Sequence, residues 1–297
     1  MRILIFGDGP LTTALLSGLG RRDTVKLYGR YEDIADGVNI FRDFAAFQPT
    51  LIVNCFEMDS LAECERFVEH AIRRNAVVPA KLAMYCRVNG ATLVQISTDY
   101  VFSGFQEGGP YADTAEPYPV NAYGLSKFMG EQVIRSILEP GRFLIVRHSW
   151  LYGDTVKSGY PWEAARAKSI WDKKARAWFT RRAFVSNREQ GTPTHTGEVA
   201  WQLWRNLRMN DWDWQPVVHI APREAPITWF DFLEDEFPLI QEVDPKKAGL
   251  EGKATIPARL GLIPTPGWET PGYASGIKRF RAELGHFQQN KASGEGS

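Results

Sequence analysis

The sequence predicts an α/β fold, a doubly wound parallel sheet followed by a second, smaller domain. Three observations carry this prediction. The chain has 297 residues, enough for one large domain and a smaller one. Short apolar runs, typical of buried strands, alternate with helical patterns as far as about residue 150. Beyond that point the composition changes, because eight tryptophans fall between Trp150 and Trp214.

The first predicted unit is a strand at Arg2–Phe6, a turn at Gly7–Pro10 and a helix that follows it. These elements, in this order, are typical of a Rossmann-type dinucleotide-binding fold, in which the helix N-terminus holds the pyrophosphate. Thr12 stands where a third glycine would complete the fingerprint, so a plain strand-to-helix turn stays open as the alternative. The candidate cofactor-binding residues of this unit are Gly7, Gly9, Leu11 and Thr12.

The second predicted strand, Thr24–Tyr28, ends at Gly29-Arg30. In folds that prefer NAD, an acidic residue near this point binds the ribose 2′-hydroxyl. The guanidinium of Arg30 suits a 2′-phosphate instead, so the sequence favours NADPH as the cofactor. Glu32 and Asp33 follow closely, which leaves NADH possible and leaves open an ordinary surface role for Arg30.

Further strands and helices are predicted along the rest of the chain. The strands are expected at Leu51–Asn54, Ala91–Ser97, Arg142–Arg147 and, late in the chain, 217–221. The helices are expected at Phe44–Phe47, across 60–89 with a break near 73–75, and at Thr196–Met209. Because ligands of doubly wound sheets bind at the carboxyl ends of the strands, we expect Gly7, Asn54 and Thr98 to converge on one site.

A further helix is predicted to begin near Ala122 with Asn121 as its N-cap, and it places Tyr123 and Lys127 on one face. A phenol has an ordinary pKa of about 10. An ammonium held beside it would lower that pKa, and the hydroxyl of Thr98 would orient a carbonyl group, which together make an acid suited to carbonyl reduction. The Tyr-x-x-x-Lys pattern also occurs on surface helices, but here the strand that ends at Thr98 and the N-terminal turn accompany it.

The domain boundary is predicted near residue 150. A dinucleotide-binding domain is expected over 1–150, rejoined by the late strand near 217–221, and a mainly substrate-binding domain over 151–297. The tail from about residue 291 is expected to be disordered. His148, at the end of a strand, is either a proton relay or a structural residue. Most of the tryptophans are expected to pack in a core or an interface, and a minority to stack on a sugar or base.

Composition argues against several classes of function. Lys+Arg and Asp+Glu both count 35, so the formal net charge is zero and no nucleic-acid or membrane partner is expected. No apolar run approaches a membrane span, and the strand at Arg2–Phe6 is too short for a signal peptide. The three cysteines, Cys55, Cys64 and Cys86, show no metal-binding spacing, so we expect reduced thiols in a cytoplasmic protein without a metal.

Several motifs occur in one order over most of the chain. They are Val53-Asn54, Ser97–Gly104 (Ser-Thr-Asp-Tyr-Val-Phe-Ser-Gly), Pro119–Lys127 with Gly130-Glu131, Val146–Gly153 and Gly191–Thr194. In this order they resemble the motifs of the extended short-chain dehydrogenase/reductases, and within them those of the dTDP-4-dehydrorhamnose reductase family. The segment 97–104 matches that family's strongest signature almost letter for letter.

The resemblance implies an NADPH-preferring reductase of a nucleotide-linked 4-keto-6-deoxysugar, active in deoxysugar biosynthesis such as that of dTDP-rhamnose. It implies that Thr98, Tyr123 and Lys127 are catalytic, with hydride delivered to C4 of the sugar and Tyr123 as the proton donor. The nucleotide sugar is the expected partner of a monomer or homodimer. Further residues expected to bind the cofactor are Asn39, Ile40, Cys55 and Phe56, with Tyr123 and Lys127. Candidate substrate-binding residues are Asp99, Val101, Phe102, Ser149 and Trp150.

Two segments depart from the pattern of that family. The phosphate-binding turn is one residue shorter than the family's Gly-x-x-Gly-x-x-Gly and ends in Thr12. The family's small, alanine-rich segment is replaced by Cys55-Phe56-Glu57-Met58. Bulkier residues, one of them acidic, would therefore lie along the cofactor.

These departures favour an alternative from another class of protein. The resemblance also extends to a non-catalytic NADP-binding regulatory subunit, that of methionine adenosyltransferase. The intact Thr98, Tyr123 and Lys127 argue against this alternative. A nucleotide-sugar epimerase or dehydratase ranks third, because a dehydratase needs a pair of acids after the threonine and only Asp99 is present.

Overall fold

The computed structural model describes residues 1–29, 37–105, 110–153, 188–209, 215–233 and 257–273, with the short stretches 170–172, 177–179, 183–186 and 240–243 and residues 275 and 278. Its central element is a parallel sheet of six strands. Within these described parts, no helix combines the length and the apolar character needed to cross a membrane.

The strands of the sheet are short apolar segments. In chain order they are β1 (Arg2–Phe6), β2 (Thr24–Tyr28), β3 (Leu51–Asn54), β4 (Thr92–Thr98), β5 (Phe143–His148) and β6 (Val217–His219). Their spatial order is β2-β1-β3-β4-β5-β6, and every neighbouring pair is parallel. The order changes direction at β1, which leaves a crevice outside the carboxyl ends of β1 and β3.

Helices cover both faces of this sheet. The described helices are α1 (Pro10–Ser17), α2 (Gly37–Phe47), α3 (Leu61–Arg66), α4 (Val68–Ile72), α5 (Val78–Asn89), α6 (Ala122–Ile137), α7 (Thr196–Met209) and α8 (Trp229–Leu233). Of these, α3 and α4 pack on α6, and α8 packs on short strands outside the sheet. Alternate residues of β1 point to opposite faces. Ile3 and Ile5 pack with α1 and α7, whereas Leu4 and Phe6 pack with α2, α5 and α6. Burial on both faces confirms the doubly wound α/β fold.

Short strands outside the sheet form pairs. The pairs are Leu151–Tyr152 with Thr194–His195, Ile170–Asp172 with Ala177–Phe179, Ala183–Ser186 with Ile240–Val243, Gln190–Gly191 with Ile227–Thr228, and Ala221–Pro222 with Glu269–Thr270. The motif Gly191–Thr194 lies beside Trp150. Gly191 is so close to that indole that a Cβ atom at this position would be 2.7 Å from it. The later half of the chain thus reaches the end of β5.

A buried ion pair fixes α6 against the middle of the sheet. Arg147 of β5 donates from Nε and Nη2 to the two carboxylate oxygens of Glu131 on α6, at 3.0 and 2.6 Å. Ser97 of β4 donates to the same carboxylate at 2.5 Å. The side chains of Arg147 and Glu131 are 2% and 0% exposed. Helix α6 is therefore held to two adjacent strands by one fully desolvated group.

The predicted strands are present with bounds within about two residues, and the break near 73–75 is a π-helical turn at Arg73–Val77. The predicted helix at Phe44–Phe47 is too short, because α2 begins at Gly37. Phe41 and Phe44 lie one turn apart, and both contact Tyr85 of α5, Phe41 by stacking and Phe44 edge to face. Packing against a helix far along the chain therefore lengthens α2.

Two of the tryptophans between Trp150 and Trp214, Trp150 and Trp204, are buried as predicted, whereas a third, Trp201, lies at the surface. Trp204 is buried and donates its indole N–H to the carbonyl oxygen of Leu15 at 2.9 Å, and Trp150 stacks on Trp229. Trp201 is 56% exposed. Trp162, Trp212, Trp214 and the predicted disordered tail from residue 291 lie outside the described residues.

The ion pair predicts a large stability difference between two glutamate variants. Glu131→Ala leaves the Arg147 guanidinium buried without a counterion, so we expect the free energy of unfolding to fall by about 3–5 kcal/mol. The control is Glu69→Ala, which removes a solvent-exposed i,i+4 pair with Arg73 and should leave stability within experimental error. Urea denaturation measures both. Equal losses in the two variants would show that Glu131 contributes no more than a surface glutamate.

Candidate active site

The crevice at the carboxyl ends of β1 and β3 is narrow, because Gly7 lies against the segment that follows β3. Gly7 has a φ of +113° and donates its N–H to the carbonyl oxygen of Tyr28 at 2.9 Å. A Cβ atom at position 7 would lie 3.0 Å from the carbonyl group of Cys55. The left-handed φ and the close approach both require glycine at this position.

The N-terminus of α1 has the features of an anion site. Gly9 is the N-cap residue and no side chain caps the helix, and a Cβ atom at position 9 would meet nothing within 4 Å. The Thr12 side chain is buried, and among the described residues its hydroxyl has no hydrogen-bond partner. Free backbone N–H groups, open space and an unpaired buried hydroxyl fit a phosphate group of a dinucleotide.

The other predicted cofactor residues are distributed around this crevice. The side chain of Leu11 is buried in the core, so only its backbone could contact a cofactor at the turn. Cys55 and Phe56 form the opposite wall, and burial raises the pKa of the Cys55 thiol to about 12, which keeps it neutral. Asn39 and Ile40 fall within α2. Arg30 lies outside the described residues.

Helix α6 begins where the sequence predicts it. The side chain of Asn121 accepts the N–H of Gly124 at 2.8 Å and caps the helix. Gly124 lies directly against the carbonyl oxygen of Tyr100, where any Cβ atom would clash, so the first turn of α6 rests on the segment after β4. This contact brings Tyr123 and Lys127 to the crevice, and both are buried.

The side chains of Tyr123 and Lys127 meet on a carboxylate. The Nζ of Lys127 donates to Oε2 of Glu57 at 2.7 Å, and the phenol of Tyr123 donates to the same oxygen at 3.2 Å. Lys127 also donates to the carbonyl oxygen of Ile96 at 2.8 Å. The structure therefore brings the predicted pair together, with an acidic residue between the two groups.

The pKa of Tyr123 is shifted in the direction opposite to the predicted one. Burial raises the pKa of the phenol well above its ordinary value, and the negative charge of Glu57 raises it further, while the hydroxyl of Thr98 lowers it. Burial also acts to raise the pKa of Glu57, but the charge and hydrogen bond of Lys127 bring it below its ordinary value. The prediction that Lys127 lowers the pKa of Tyr123 is wrong, because burial of the phenol, and after it the negative charge of Glu57, raise that pKa while Lys127 is paired with Glu57.

Thr98 ends β4 and is held by a short network. Its hydroxyl donates to Asp99 at 3.4 Å and accepts the N–H of Tyr100 at 3.2 Å. The other carboxylate oxygen of Asp99 accepts the Ser149 hydroxyl at 2.5 Å, and that hydroxyl accepts the N–H of Thr192 at 3.1 Å. Burial raises the pKa of Asp99 to about 7. Asp99 thus orients the hydroxyls of Thr98 and Ser149.

Three of the predicted substrate-binding side chains are occupied elsewhere. Val101 and Phe102 have no exposed surface, and Phe102 stacks on Tyr111 with 4.3 Å between the ring centroids. Trp150 stacks on Trp229 at 4.0 Å. The short 3₁₀ helix Asp99–Val101 turns this part of the motif into an apolar cluster. In this conformation Val101 and Phe102 offer no side-chain surface to a sugar, whereas Trp150 keeps 9% of its surface exposed.

His148 ends β5 beside the same crevice. Its Nδ1 donates to the carbonyl oxygen of Ser149 at 2.6 Å, and burial lowers its pKa, so the ring is neutral. Among the described residues its Nε2 has no hydrogen-bond partner. The imidazole is therefore held by its own backbone on one side and carries an unused acceptor on the other.

Sequence reasoning assigned no role to Glu57, although it noted an acidic residue in the segment after β3. The signal was the departure of Cys55-Phe56-Glu57-Met58 from the family's alanine-rich pattern. The predicted site residue Asn54 has a different role, because its side chain is fully buried and hydrogen-bonds Gln95 and the N–H of Phe56. Asn54 supports the segment that carries Glu57.

Comparison with known structures agrees with this architecture. The dTDP-4-dehydrorhamnose reductase of Clostridium acetobutylicum superimposes with a TM-score of 0.82 at 24% identity, over 96% of this chain and 99% of that one. The dTDP-4-dehydrorhamnose reductase of Bacillus anthracis, solved in complex with NADP, gives a TM-score of 0.81 at 24% identity, over 95% and 99%. These two proteins share the fold of this chain.

Comparison of sequences adds the family. The dTDP-4-keto-6-deoxy-D-glucose reductase of Streptomyces niveus is 39% identical over 229 residues, 76% of this chain and 73% of that protein. The methionine adenosyltransferase 2 subunit beta of Danio rerio is 30% identical over 198 residues, 65% of this chain and 55% of that protein. The family model for the RmlD substrate binding domain matches residues 1–248. Because that model spans most of the chain, the chain belongs to the RmlD substrate-binding domain family.

Proposed function

We propose that this chain is an NADPH-dependent reductase of a nucleotide-linked 4-keto-6-deoxysugar. The observation that carries the proposal is the meeting of Tyr123, Lys127 and Thr98 at the carboxyl ends of the strands, beside a turn that fits a phosphate. The name of the Streptomyces niveus relative, a reductase of a dTDP-linked keto sugar, supports the substrate class. The NADP complex of the Bacillus anthracis protein supports the cofactor.

Each residue has a distinct role in this proposal. The cofactor supplies a hydride to C4 of the sugar. Tyr123 donates a proton to the carbonyl oxygen, and its raised pKa keeps the phenol protonated until that step. Thr98, oriented by Asp99, positions the carbonyl oxygen towards the phenol. Lys127 binds the nicotinamide ribose, and its charge stabilises the phenolate that remains after proton transfer.

The same proposal places the reaction in the cytoplasm, with the chain as a monomer or a homodimer and with separate dinucleotide-binding (1–150) and substrate-binding (151–297) regions. Two elements from the later part of the chain belong to the dinucleotide-binding domain, because β6 joins the sheet beside β5 and α7 packs on α1. The hydroxyl of Ser149 contacts both Asp99 and the backbone of Thr192. It therefore links the segment around Thr98 to the substrate-binding region, and we propose that it contacts the substrate.

The proposal is tested by following NADPH oxidation with the purified chain and a panel of dTDP-, UDP- and GDP-linked 4-keto-6-deoxysugars. We expect cofactor to be consumed with at least one sugar and the corresponding 4-alcohol to form. Tight NADPH binding without turnover of any sugar would contradict the proposal.

A second candidate function is that of a non-catalytic NADP-binding regulatory subunit. The observation that favours it is that Glu57 accepts hydrogen bonds from Tyr123 and Lys127, the two side chains that a reductase must use. The similarity to the Danio rerio subunit beta supports it. This candidate predicts binding of NADPH and no turnover with every sugar of the same panel.

Substitution of the phenol gives the first kinetic prediction. Tyr123→Phe removes the proton donor and leaves the buried ring in place, so we expect turnover to fall roughly a hundredfold or more while NADPH affinity changes little. Tyr118→Phe is the matched control, because Tyr118 is 70% exposed. Steady-state kinetics measures both variants, and unchanged turnover in Tyr123→Phe would rule out the phenol as the acid.

Removal of the ammonium should affect two steps at once. Lys127→Met keeps most of the stem volume but loses the charge, so we expect turnover and NADPH affinity both to fall, each on the order of tenfold or more. Lys81→Met on α5 is the control lysine, at a half-buried position outside the crevice. Cofactor titration and initial rates would refute the double role if neither quantity changed.

The preference for NADPH is tested at Arg30. If its guanidinium binds the 2′-phosphate, Arg30→Ala should weaken NADPH roughly ten- to a hundredfold and leave NADH unchanged. Arg22→Ala, at an exposed position, is the control. Both cofactors are titrated against each protein. Equal affinities in the wild type, or equal losses of both cofactors in the variant, would refute the phosphate contact.

A further inference from the structure

The Glu57 carboxylate engages the two groups on which the proposed chemistry depends. One of its oxygens accepts from Lys127 at 2.7 Å and from Tyr123 at 3.2 Å. The phenol has one proton to donate, and the ammonium has three, of which another is used by the carbonyl oxygen of Ile96. Glu57 therefore takes the only donor of Tyr123 and one of two remaining donors of Lys127.

The position of Glu57 is fixed from both sides by buried amides. The Asn54 side chain accepts the N–H of Phe56 at 3.2 Å. Asn75 accepts the N–H of Met58 at 2.8 Å and donates to the carbonyl oxygen of Met58 at 3.0 Å. Because Phe56 and Met58 flank Glu57, these bonds determine where its side chain starts. The fold thus directs the carboxylate at Tyr123 and Lys127.

The same amide links this segment to α6. The Asn75 side chain also donates to the hydroxyl of Ser126 at 2.9 Å, and Ser126 donates to the carbonyl oxygen of Tyr123 at 2.8 Å. Ser126 precedes Lys127 directly in the helix. The segment that carries Glu57 and the turn of α6 that carries the two donors therefore form one hydrogen-bonded unit.

The two partners of the ion pair differ in their access to solvent. The Lys127 side chain is 2% exposed and that of Glu57 is 23% exposed. A carboxylate with access to water loses little solvation when it turns outward, whereas the buried ammonium stays where Ile96 holds it. Of the two side chains in this ion pair, that of Glu57 is therefore the one that can turn away.

We propose that the contacts of Glu57 with Tyr123 and Lys127 and the binding of the cofactor exclude each other, so that Glu57 sets the affinity of this chain for NADPH. The inference rests on the proposed function, in which Lys127 binds the cofactor's ribose. Glu57 is a positioning residue. It holds the ammonium in the cofactor-free chain and turns towards solvent when the cofactor takes that donor. The free energy needed to break the ion pair is subtracted from the favourable free energy of cofactor binding, so the ion pair lowers the affinity for the cofactor.

The direct test is the dissociation constant for NADPH in the absence of sugar, measured by fluorescence titration. Glu57→Gln keeps the size of the side chain and an acceptor for Lys127 but removes the charge, so the competing bond is weaker. We expect this variant to bind NADPH roughly tenfold more tightly than the wild type. A merely structural role would move affinity the other way, because a loosened crevice binds the cofactor less well.

The matched control is Asp59→Asn. Asp59 lies two residues from Glu57, and its negative charge also acts on Lys127 and Tyr123, but no hydrogen bond joins it to either side chain among the described residues. Its removal therefore reports the effect of one nearby negative charge on an anionic cofactor without loss of a contact with Lys127. We expect its affinity for NADPH to stay within about twofold of the wild type. Equal tightening in Asp59→Asn and Glu57→Gln would overturn the inference, since contact with Lys127 would then be irrelevant.

The outcomes for Glu57→Gln separate the inference from the proposed function. Binding by wild type and variant with equal constants, or weaker binding by the variant, overturns the inference alone. Absence of binding by both proteins to NADPH and NADH overturns the proposed function, and the inference with it. Should the variant fail to fold, a crystal structure of the wild type with NADP⁺ decides. We expect the distance from Glu57 Oε2 to Lys127 Nζ to exceed about 4 Å, and retention of the ion pair would overturn the inference.

Discussion

The ion pair between Glu131 and Arg147 fixes the helix on which the candidate site depends. Helix α6 carries both Tyr123 and Lys127, and the carboxylate of Glu131 joins it to β4 and β5 through three hydrogen bonds from side chains. Because β4 ends at Thr98, the same contacts fix the distance between the phenol and the threonine hydroxyl. A buried pair of this kind contributes little net stability but specifies one register of helix against sheet. The geometry of the proposed proton transfer follows from that register.

A second ion pair determines the electrostatics of the site. The spacing of Tyr123 and Lys127 predicts an acidified phenol, but Glu57 neutralises the ammonium and burial keeps the phenol protonated. A protonated phenol suits the donation of a proton to a carbonyl oxygen, which is the direction of reduction. In the proposed exchange with the cofactor, the charge of Lys127 becomes available to the reaction when Glu57 turns away. In this account, cofactor binding and activation of the acid are coupled through one carboxylate.

The fold could be predicted from sequence because strands buried on both faces are short, continuous apolar runs that end at turn residues, whereas the helices between them repeat their apolar positions with a helical period. Thr98, Tyr123 and Lys127 could be located because one ends a strand and the others share a helical face. Glu57 follows a strand in a segment without periodicity, where the direction of a side chain depends on distant amides and cannot be inferred from spacing. The position of Phe102 in the Ser97–Gly104 motif predicts contact with the substrate, but after the 3₁₀ helix its side chain is buried in the protein. The start of α2 depends on aromatic packing with a helix far along the chain, which local propensity does not encode.

The central claim is that this chain transfers a hydride to a sugar carbonyl at C4 while Tyr123 supplies the proton. Isotope labelling tests it most directly. The purified chain is incubated with NADPH that carries deuterium at both positions of C4 of the nicotinamide ring and with the keto sugar that it accepts, and the product is examined by mass spectrometry and NMR. The account predicts deuterium bound to C4 of the sugar and none at the other ring carbons. A product without deuterium, or with deuterium at another carbon, would contradict the account.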